Sequence, residues 1–93
     1  MPYSITPYSY KQAKKLGVTI KPSTVHGKKI DVFDKEGLKI ASIGALGMND
    51  YPTWEKKMGK SFANARRKAY KSRHEKDRHI AGSAGYYADK ILW

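Results

Sequence analysis

The chain has 93 residues, with 19 Lys or Arg against 8 Asp or Glu, which gives a formal net charge of +11 at pH 7. This length allows one small basic domain, residues 1–93, and a hydrophobic content of 40% is too high for a disordered basic tail. The chain contains no cysteine, which excludes disulfides, thiolate metal sites and cysteine nucleophiles. No apolar run reaches the roughly 20 residues of a membrane span, and the N-terminus lacks a signal-peptide pattern. We therefore expect a small, soluble, basic intracellular domain that binds a polyanion, nucleic acid first.

The first predicted element is a helix over about residues 7–16. Thr6 followed by Pro7 is typical of a helix start, because threonine caps the first turn and proline suits its first position. Gly17 is a natural helix end, and Lys14 and Lys15 lie where the helix dipole favours positive charge.

A small antiparallel sheet is predicted next. Residues 18–21 form a short β-branched strand, and residues 28–34 and 38–44 alternate in the manner of a hairpin. The sequence between them, Asp34-Lys35-Glu36-Gly37, favours a type I turn closed by a glycine bulge. Because an isolated hairpin is barely stable in water, we expect another element to cover the apolar face of this sheet.

A long amphipathic helix is predicted over about residues 51–75, with Asp50 as its cap. The interior Gly59 costs ~1 kcal/mol relative to alanine but leaves the apolar spacing intact. One continuous stripe should face the sheet, and it contains Tyr51, Trp54, Met58, Phe62, Ala65 and Ala69.

The C-terminal residues 86–93 are predicted to form a short docking segment after a hinge of small residues at 81–85. The expected fold is therefore α+β, with the long helix packed across the sheet. The core is expected to contain Leu16, Ile20, Ile30, Val32, Leu38, Ile40, Trp54, Met58, Phe62, Ala65, Ile91 and Leu92.

The face of the long helix opposite its apolar stripe is expected to be almost wholly cationic. On one continuous helix, Lys56 and Lys60 would form a like-charge pair, as would Arg67 and Lys71, and the first two lysines would lie near the positive end of the dipole. A solvated face that serves only solubility usually mixes acids with bases, so this pattern favours phosphate binding with little sequence specificity. The predicted nucleic-acid-binding residues are Lys56, Lys57, Lys60, Arg66, Arg67, Lys68, Lys71, Arg73 and Arg78.

Other sites receive less support from the residues. A domain of this size needs most of its aromatic side chains for the core, which leaves Tyr3, Tyr8 and Tyr10 as the better candidates for base stacking. The histidines at 74 and 79 are spaced too far apart for one helix face, so we predict no metal site. We predict no catalytic residue, cofactor or enzymatic activity, and we rank membrane-surface binding below nucleic-acid binding.

Four segments, KKIDVFDKEG, IASIGALGMNDYPTW, RRKAYKSRHEKDRH and GYYADKILW, resemble a family of small basic proteins of giant DNA viruses of the mimivirus and phycodnavirus kind. The resemblance covers about residues 28–93 and implies a viral protein in the infected host cell or in the virion. It implies no catalytic residues. Two functions fit this setting: a nucleic-acid-binding protein, with DNA favoured over RNA, or a minor structural protein whose apolar C-terminus clasps other virion proteins.

Overall fold

The computed structural model describes residues 4–93, which form an α+β fold of four α-helices and a three-stranded antiparallel sheet. The predicted fold class is confirmed. In chain order the elements are α1 (Pro7–Leu16), β1 (Thr19–Pro22), β2 (Lys28–Phe33), β3 (Lys39–Ala45), α2 (Tyr51–Met58), α3 (Lys60–Arg73), a 3₁₀ turn (Asp77–His79) and α4 (Ala84–Leu92).

Helix α1 begins and ends where its sequence predicts. The Thr6 hydroxyl accepts a hydrogen bond from the backbone N–H of Ser9 at 3.3 Å, which satisfies one donor of the first turn. Gly17 closes the helix in the left-handed conformation at φ 74°, which glycine adopts without steric cost.

The sheet has the strand order β1-β2-β3, and the predicted hairpin is confirmed. Ile30 lies opposite Ile43, and Val32 lies opposite both Ile20 and Ala41, so apolar side chains share one face. At the turn, the Asp34 carboxylate accepts hydrogen bonds from the backbone N–H groups of residues 36 and 38 at 2.9 and 3.0 Å. The connection is therefore the tight, glycine-closed turn that the sequence indicates.

The predicted single helix over residues 51–75 is wrong, because the chain breaks at Gly59. Its backbone lies at φ 90° and ψ 168°, a conformation that non-glycine residues rarely adopt. Helix α2 ends there and α3 starts in a new direction and packs on α2. The apolar spacing of the sequence continues across Gly59, because periodicity alone does not show that the helix axis changes direction there.

The core lies between the sheet and the helices α1 and α4, so the prediction that the long helix covers the sheet is also wrong. Helix α4 lies along β3 and α1 contacts β1, whereas α3 packs chiefly on α2. Five predicted core residues are buried, namely Ile20, Ile30, Val32, Ile91 and Leu92, together with Ala13, Ile43 and Ala88. Leu16 and Trp54 are partly buried, and the predictions for Leu38, Ile40, Met58, Phe62 and Ala65 are wrong because these side chains are exposed.

A buried aspartate ties the loop after β1 to the sheet. Asp31 accepts hydrogen bonds from the hydroxyls of Ser23 at 2.6 Å and Ser42 at 2.7 Å, and from the backbone N–H of Thr24 at 3.1 Å. Burial by itself raises the pKa of this carboxyl, but these hydrogen bonds and the nearby Lys39 outweigh it and lower the pKa to about 2. Asp31 therefore stays ionised inside the protein at neutral pH.

Candidate nucleic-acid interface

The start of α2 is fixed by a second buried carboxylate. Asp50 caps the helix by accepting hydrogen bonds from the backbone N–H of Thr53 at 3.1 Å and from its hydroxyl at 2.6 Å. The same carboxylate forms an ion pair of 3.1 Å with Lys29 of β2, and both side chains are almost fully buried. This pair holds the α2–α3 hairpin against the sheet.

Arg67 lies on the face of α3 that packs against α1 and α2. The Arg67 guanidinium lies 3.5 Å from the centre of the Tyr51 ring and donates a hydrogen bond to the Tyr8 hydroxyl at 3.3 Å. Burial raises the pKa of Tyr8, while the charge of Arg67 opposes that rise. Arg67 therefore packs between α1 and α2 and is not displayed for an external phosphate.

A third buried carboxylate, Asp89 of α4, forms ion pairs with two more of the predicted binding residues, Lys71 and Arg78. The Lys71 ammonium lies 2.7 Å from one carboxylate oxygen, and Arg78 and Lys90 lie 3.8 and 3.5 Å from the other. Arg78 also forms an ion pair of 3.0 Å with Glu75. Lys71 and Arg78 thus join α3 and the following 3₁₀ turn to α4.

The structure therefore divides the nine predicted binding residues into two groups. Arg67, Lys71 and Arg78 make the internal contacts just described. The other six are exposed on the α2–α3 hairpin, and we call them the α2–α3 basic surface: Lys56, Lys57, Lys60, Arg66, Lys68 and Arg73.

The break at Gly59 also changes the electrostatics of this surface. Lys56 and Lys57 lie in the last turn of α2, where the helix dipole favours positive charge, so the predicted unfavourable placement is wrong. Lys60 begins α3, and it does not share a helix with Lys56 as the predicted like-charge pair requires. Repulsion within one helix is therefore not the reason to regard this surface as a binding site.

The distribution of acids and bases gives a better reason to regard the α2–α3 basic surface as a binding site. Three of the eight acids, Asp31, Asp50 and Asp89, are buried, and each forms an ion pair with a lysine. Over residues 51–73, the sequence holds eight Lys or Arg and a single acid, Glu55. Two of the acids that lie near α2 and α3, Asp50 and Asp89, are thus buried, and the outside of the α2–α3 hairpin is left strongly positive.

Beside this surface lies a cleft of about 410 Å³ between the α2–α3 hairpin, residues 44–50 and the end of α4. Tyrosine and tryptophan side chains line it beside the His74 ring, and we call it the aromatic cleft: Trp54, Tyr70 and Trp93. The rings of Tyr70 and Trp93 are stacked, with centroids 4.5 Å apart and planes 10° from parallel. All three rings are partly buried. Trp54 also packs against Phe62 at 5.1 Å and Tyr70 against His74 at 4.4 Å, measured between ring centroids.

The charged groups that reach the aromatic cleft are mainly cationic. Arg66 lies with its guanidinium 5.1 Å from the Trp54 ring, and Arg73 lies seven residues further along the same face of α3. Lys28 lines the opposite side. Among the described residues that line the cleft, Asp50 is the one acid, and it is buried with Lys29.

Two glycines, which lack a Cβ atom, allow α4 to pack closely on its neighbours. Gly44 lies at φ 77°, and a Cβ atom at this position would lie 2.8 Å from a methyl carbon of Leu92. A Cβ atom at Gly85 would likewise lie 2.8 Å from the Cβ atom of Asp77, where the start of α4 packs on the 3₁₀ turn. The end of α4 therefore approaches β3 closely enough to place Trp93 against Tyr70.

The sequence interpretation missed the aromatic cleft. The apolar spacing predicts a core position for Trp54, and no local pattern brings Trp93 to Tyr70. The spacing of Arg66, Tyr70 and Arg73 was the one available signal, because residues at i, i+4 and i+7 share a helix face.

The predicted stacking residues of the N-terminal arm are placed differently from the cleft. The ring centroids of Tyr8 and Tyr51 lie 5.6 Å apart, and the Tyr8 hydroxyl accepts a hydrogen bond from Arg67. Tyr10, in contrast, is 51% exposed. Tyr3 lies outside the described residues.

Residues 4–93 contain no group of three or more His, Asp or Glu side chains arranged to hold a metal ion. The His79 ring instead lies 2.7 Å from Glu75, and hydrogen bonds from His79 and Arg78 lower the pKa of that carboxyl. In the same described part of the chain, no helix combines the length and apolar character needed to cross a membrane.

Comparison with known proteins finds no matching family model, no matching curated protein and no matching solved structure.

Proposed function

We propose that this chain binds nucleic acid with low sequence specificity, contacting phosphates through the α2–α3 basic surface. The observation that supports this most strongly is the separation of charge. The buried Asp50 and Asp89 are each paired with a lysine, while the hairpin displays six basic side chains beside a single acid over residues 51–73. Such a surface attracts a polyanion and releases its counterions on binding.

Low specificity follows from the kind of side chain involved. Phosphate contacts position a protein on nucleic acid but carry no sequence information, and the six basic side chains are lysines and arginines. The two nearby asparagines already accept hydrogen bonds within the chain, Asn49 from Lys57 and Asn64 from the Tyr51 hydroxyl. The resemblance to proteins of giant DNA viruses favours DNA as the partner, in the infected cell or in the virion.

The alternative of a virion structural protein with a C-terminal clasp receives less support from the geometry. The clasp would need Ile91 and Leu92 on the outside, but both are buried in the chain's own core at 0% and 1% exposure. Trp93 is the only partly exposed apolar side chain among the last three residues.

The experiment compares two triple variants of equal charge. One replaces Lys56, Lys57 and Lys60 with glutamine, and its control replaces the exposed α1 lysines Lys11, Lys14 and Lys15 with glutamine. Affinity for random-sequence DNA, single-stranded and duplex, is measured at several salt concentrations. We expect the first variant to reduce the steepness of the salt dependence by about 2–3 units, since each lost phosphate contact removes nearly one.

The α1 control should change the salt dependence by less than about one unit. Equal losses in both variants would show that binding follows net charge alone and would refute the assignment to α2–α3. Failure of the unmodified protein to bind either DNA would refute the function itself.

A further inference from the structure

We propose that the aromatic cleft holds an unpaired base of single-stranded nucleic acid, stacked against its aromatic rings, with the neighbouring phosphates held by Arg66 and Arg73. This inference rests on the proposed function, since it names the form of nucleic acid that the same region of the protein takes. It adds a second kind of contact, which depends on the base and not on charge.

The size and lining of the cleft suit a base. Its volume of about 410 Å³ lies within the range of small-ligand sites, ~300–1,000 Å³. Tyr70 already contacts two rings, Trp93 at 4.5 Å and His74 at 4.4 Å between centroids, so a planar base extends this stack through the π-face of Trp93. Base stacking on aromatic side chains tolerates any base, which agrees with the low specificity expected of the phosphate contacts.

The charges around the cleft suit the backbone of a strand. Arg66 and Arg73 are seven residues apart, which places them ~10 Å apart along the axis of α3, with Tyr70 between them. Arginine offers a planar fork of donors that matches phosphate, and both side chains are exposed. Because the acid in the cleft lining is buried against Lys29, a phosphate that approaches this face meets mainly positive charge.

A single strand fits this arrangement better than a duplex does. In a duplex each base is stacked and paired, and placing it in a cleft requires flipping it out at a cost of a few kcal/mol. A single strand offers unstacked bases without that cost. The cleft also continues onto the α2–α3 basic surface through Arg66 and Arg73, which gives a strand a path for its next phosphates.

The chain carries its own probe for this contact. Its two tryptophans, Trp54 and Trp93, both line the cleft, so intrinsic tryptophan fluorescence reports on what enters it. We expect an oligothymidine of about twelve nucleotides to quench this fluorescence on binding. Trp54→Phe and Trp93→Phe leave one tryptophan each and show which ring the base approaches.

The decisive comparison uses the unmodified protein and an abasic oligonucleotide of the same length, which keeps every phosphate and lacks the bases. We expect the abasic strand to bind about tenfold more weakly than oligothymidine, and to cause little quenching, because stacking is worth that much per base. Arg66→Gln should weaken binding of both strands, while the charge-matched Lys35→Gln, in the hairpin turn, should not.

Equal affinity for the two strands without quenching would overturn the cleft assignment while leaving phosphate binding intact. Quenching by a duplex equal to that by the single strand would also overturn it. If thymidine monophosphate binds as tightly as the oligonucleotide, the cleft is a site for free nucleotides and the inference of a strand is wrong. Absence of any salt-dependent binding would refute both the inference and the proposed function.

Discussion

Lys71→Met and Lys68→Met, compared with each other, distinguish a lysine with a structural contact from a proposed DNA-binding lysine on the same helix. Lys71 lies 2.7 Å from the buried carboxylate of Asp89, whereas Lys68 is exposed. Methionine keeps a flexible side chain of similar length and removes the charge together with the N–H donors of the ammonium group. We expect Lys71→Met to lower stability and Lys68→Met to lower affinity for DNA.

The magnitude follows from the surroundings of Asp89. Removing one partner of a fully buried ion pair costs ~3–5 kcal/mol. The Lys71 side chain is 29% exposed, and Arg78 and Lys90 stay within 4 Å of the carboxylate, so a smaller loss is expected. We expect about 2 kcal/mol, or a fall in melting temperature of ~8–16 °C for a domain of this size. Lys68→Met should change stability by less than ~0.5 kcal/mol.

Thermal unfolding and DNA binding are measured on both variants, with binding assayed well below the lower melting temperature. Lys68→Met should reduce the salt dependence of binding by about one unit and Lys71→Met should leave it unchanged. A Lys71→Met protein that melts like the original and binds DNA with a reduced salt dependence would refute the division of the two groups.

Three further changes test the fold. Asp31→Asn should flatten the pH dependence of the free energy of unfolding, measured with urea. The pKa of Asp31 in the folded protein is about 2, below the ordinary value of 3.8, so the ionised carboxylate stabilises the fold by about 2 kcal/mol above pH 4. This stabilisation is lost as the pH falls towards 2. An unchanged pH profile would contradict the buried hydrogen bonds. Gly44→Ala should lower stability by about 2 kcal/mol in the same assay, because its Cβ would meet Leu92 at 2.8 Å and because φ is 77°. Deleting residues 86–93 should abolish the cooperative melt followed by circular dichroism, since it removes two fully buried side chains of the core; an unchanged melt would show that this segment does not dock on its own chain.

The elements that the sequence predicts well are those that begin or end at a capping or turn residue. Thr6, Gly17 and Gly37 act through their immediate neighbours, so α1 and the hairpin turn can be inferred from a few adjacent residues. Gly59 shows the limit of this approach. Its cost inside a helix is small enough for a helix to continue, and only the packing of α3 on α2 decides that the chain turns there.

The candidate site was predicted in part for the same reason. A helical projection shows which residues share a face, and it placed Lys68 on the exposed side correctly. It does not show that Asp89, 18 positions further along, lies under Lys71, or that Tyr8 lies beside Arg67. These partners are distant in sequence, and long-range packing alone brings them together.

The salt dependence of DNA affinity tests the central claim most directly, namely that phosphate contacts from the α2–α3 basic surface hold the nucleic acid. With ~4–6 phosphates neutralised, a plot of log affinity against log salt concentration should have a slope near −4 to −5 for duplex DNA and near −3 to −4 for a single strand. A slope near zero, or no measurable binding at low salt, would contradict it.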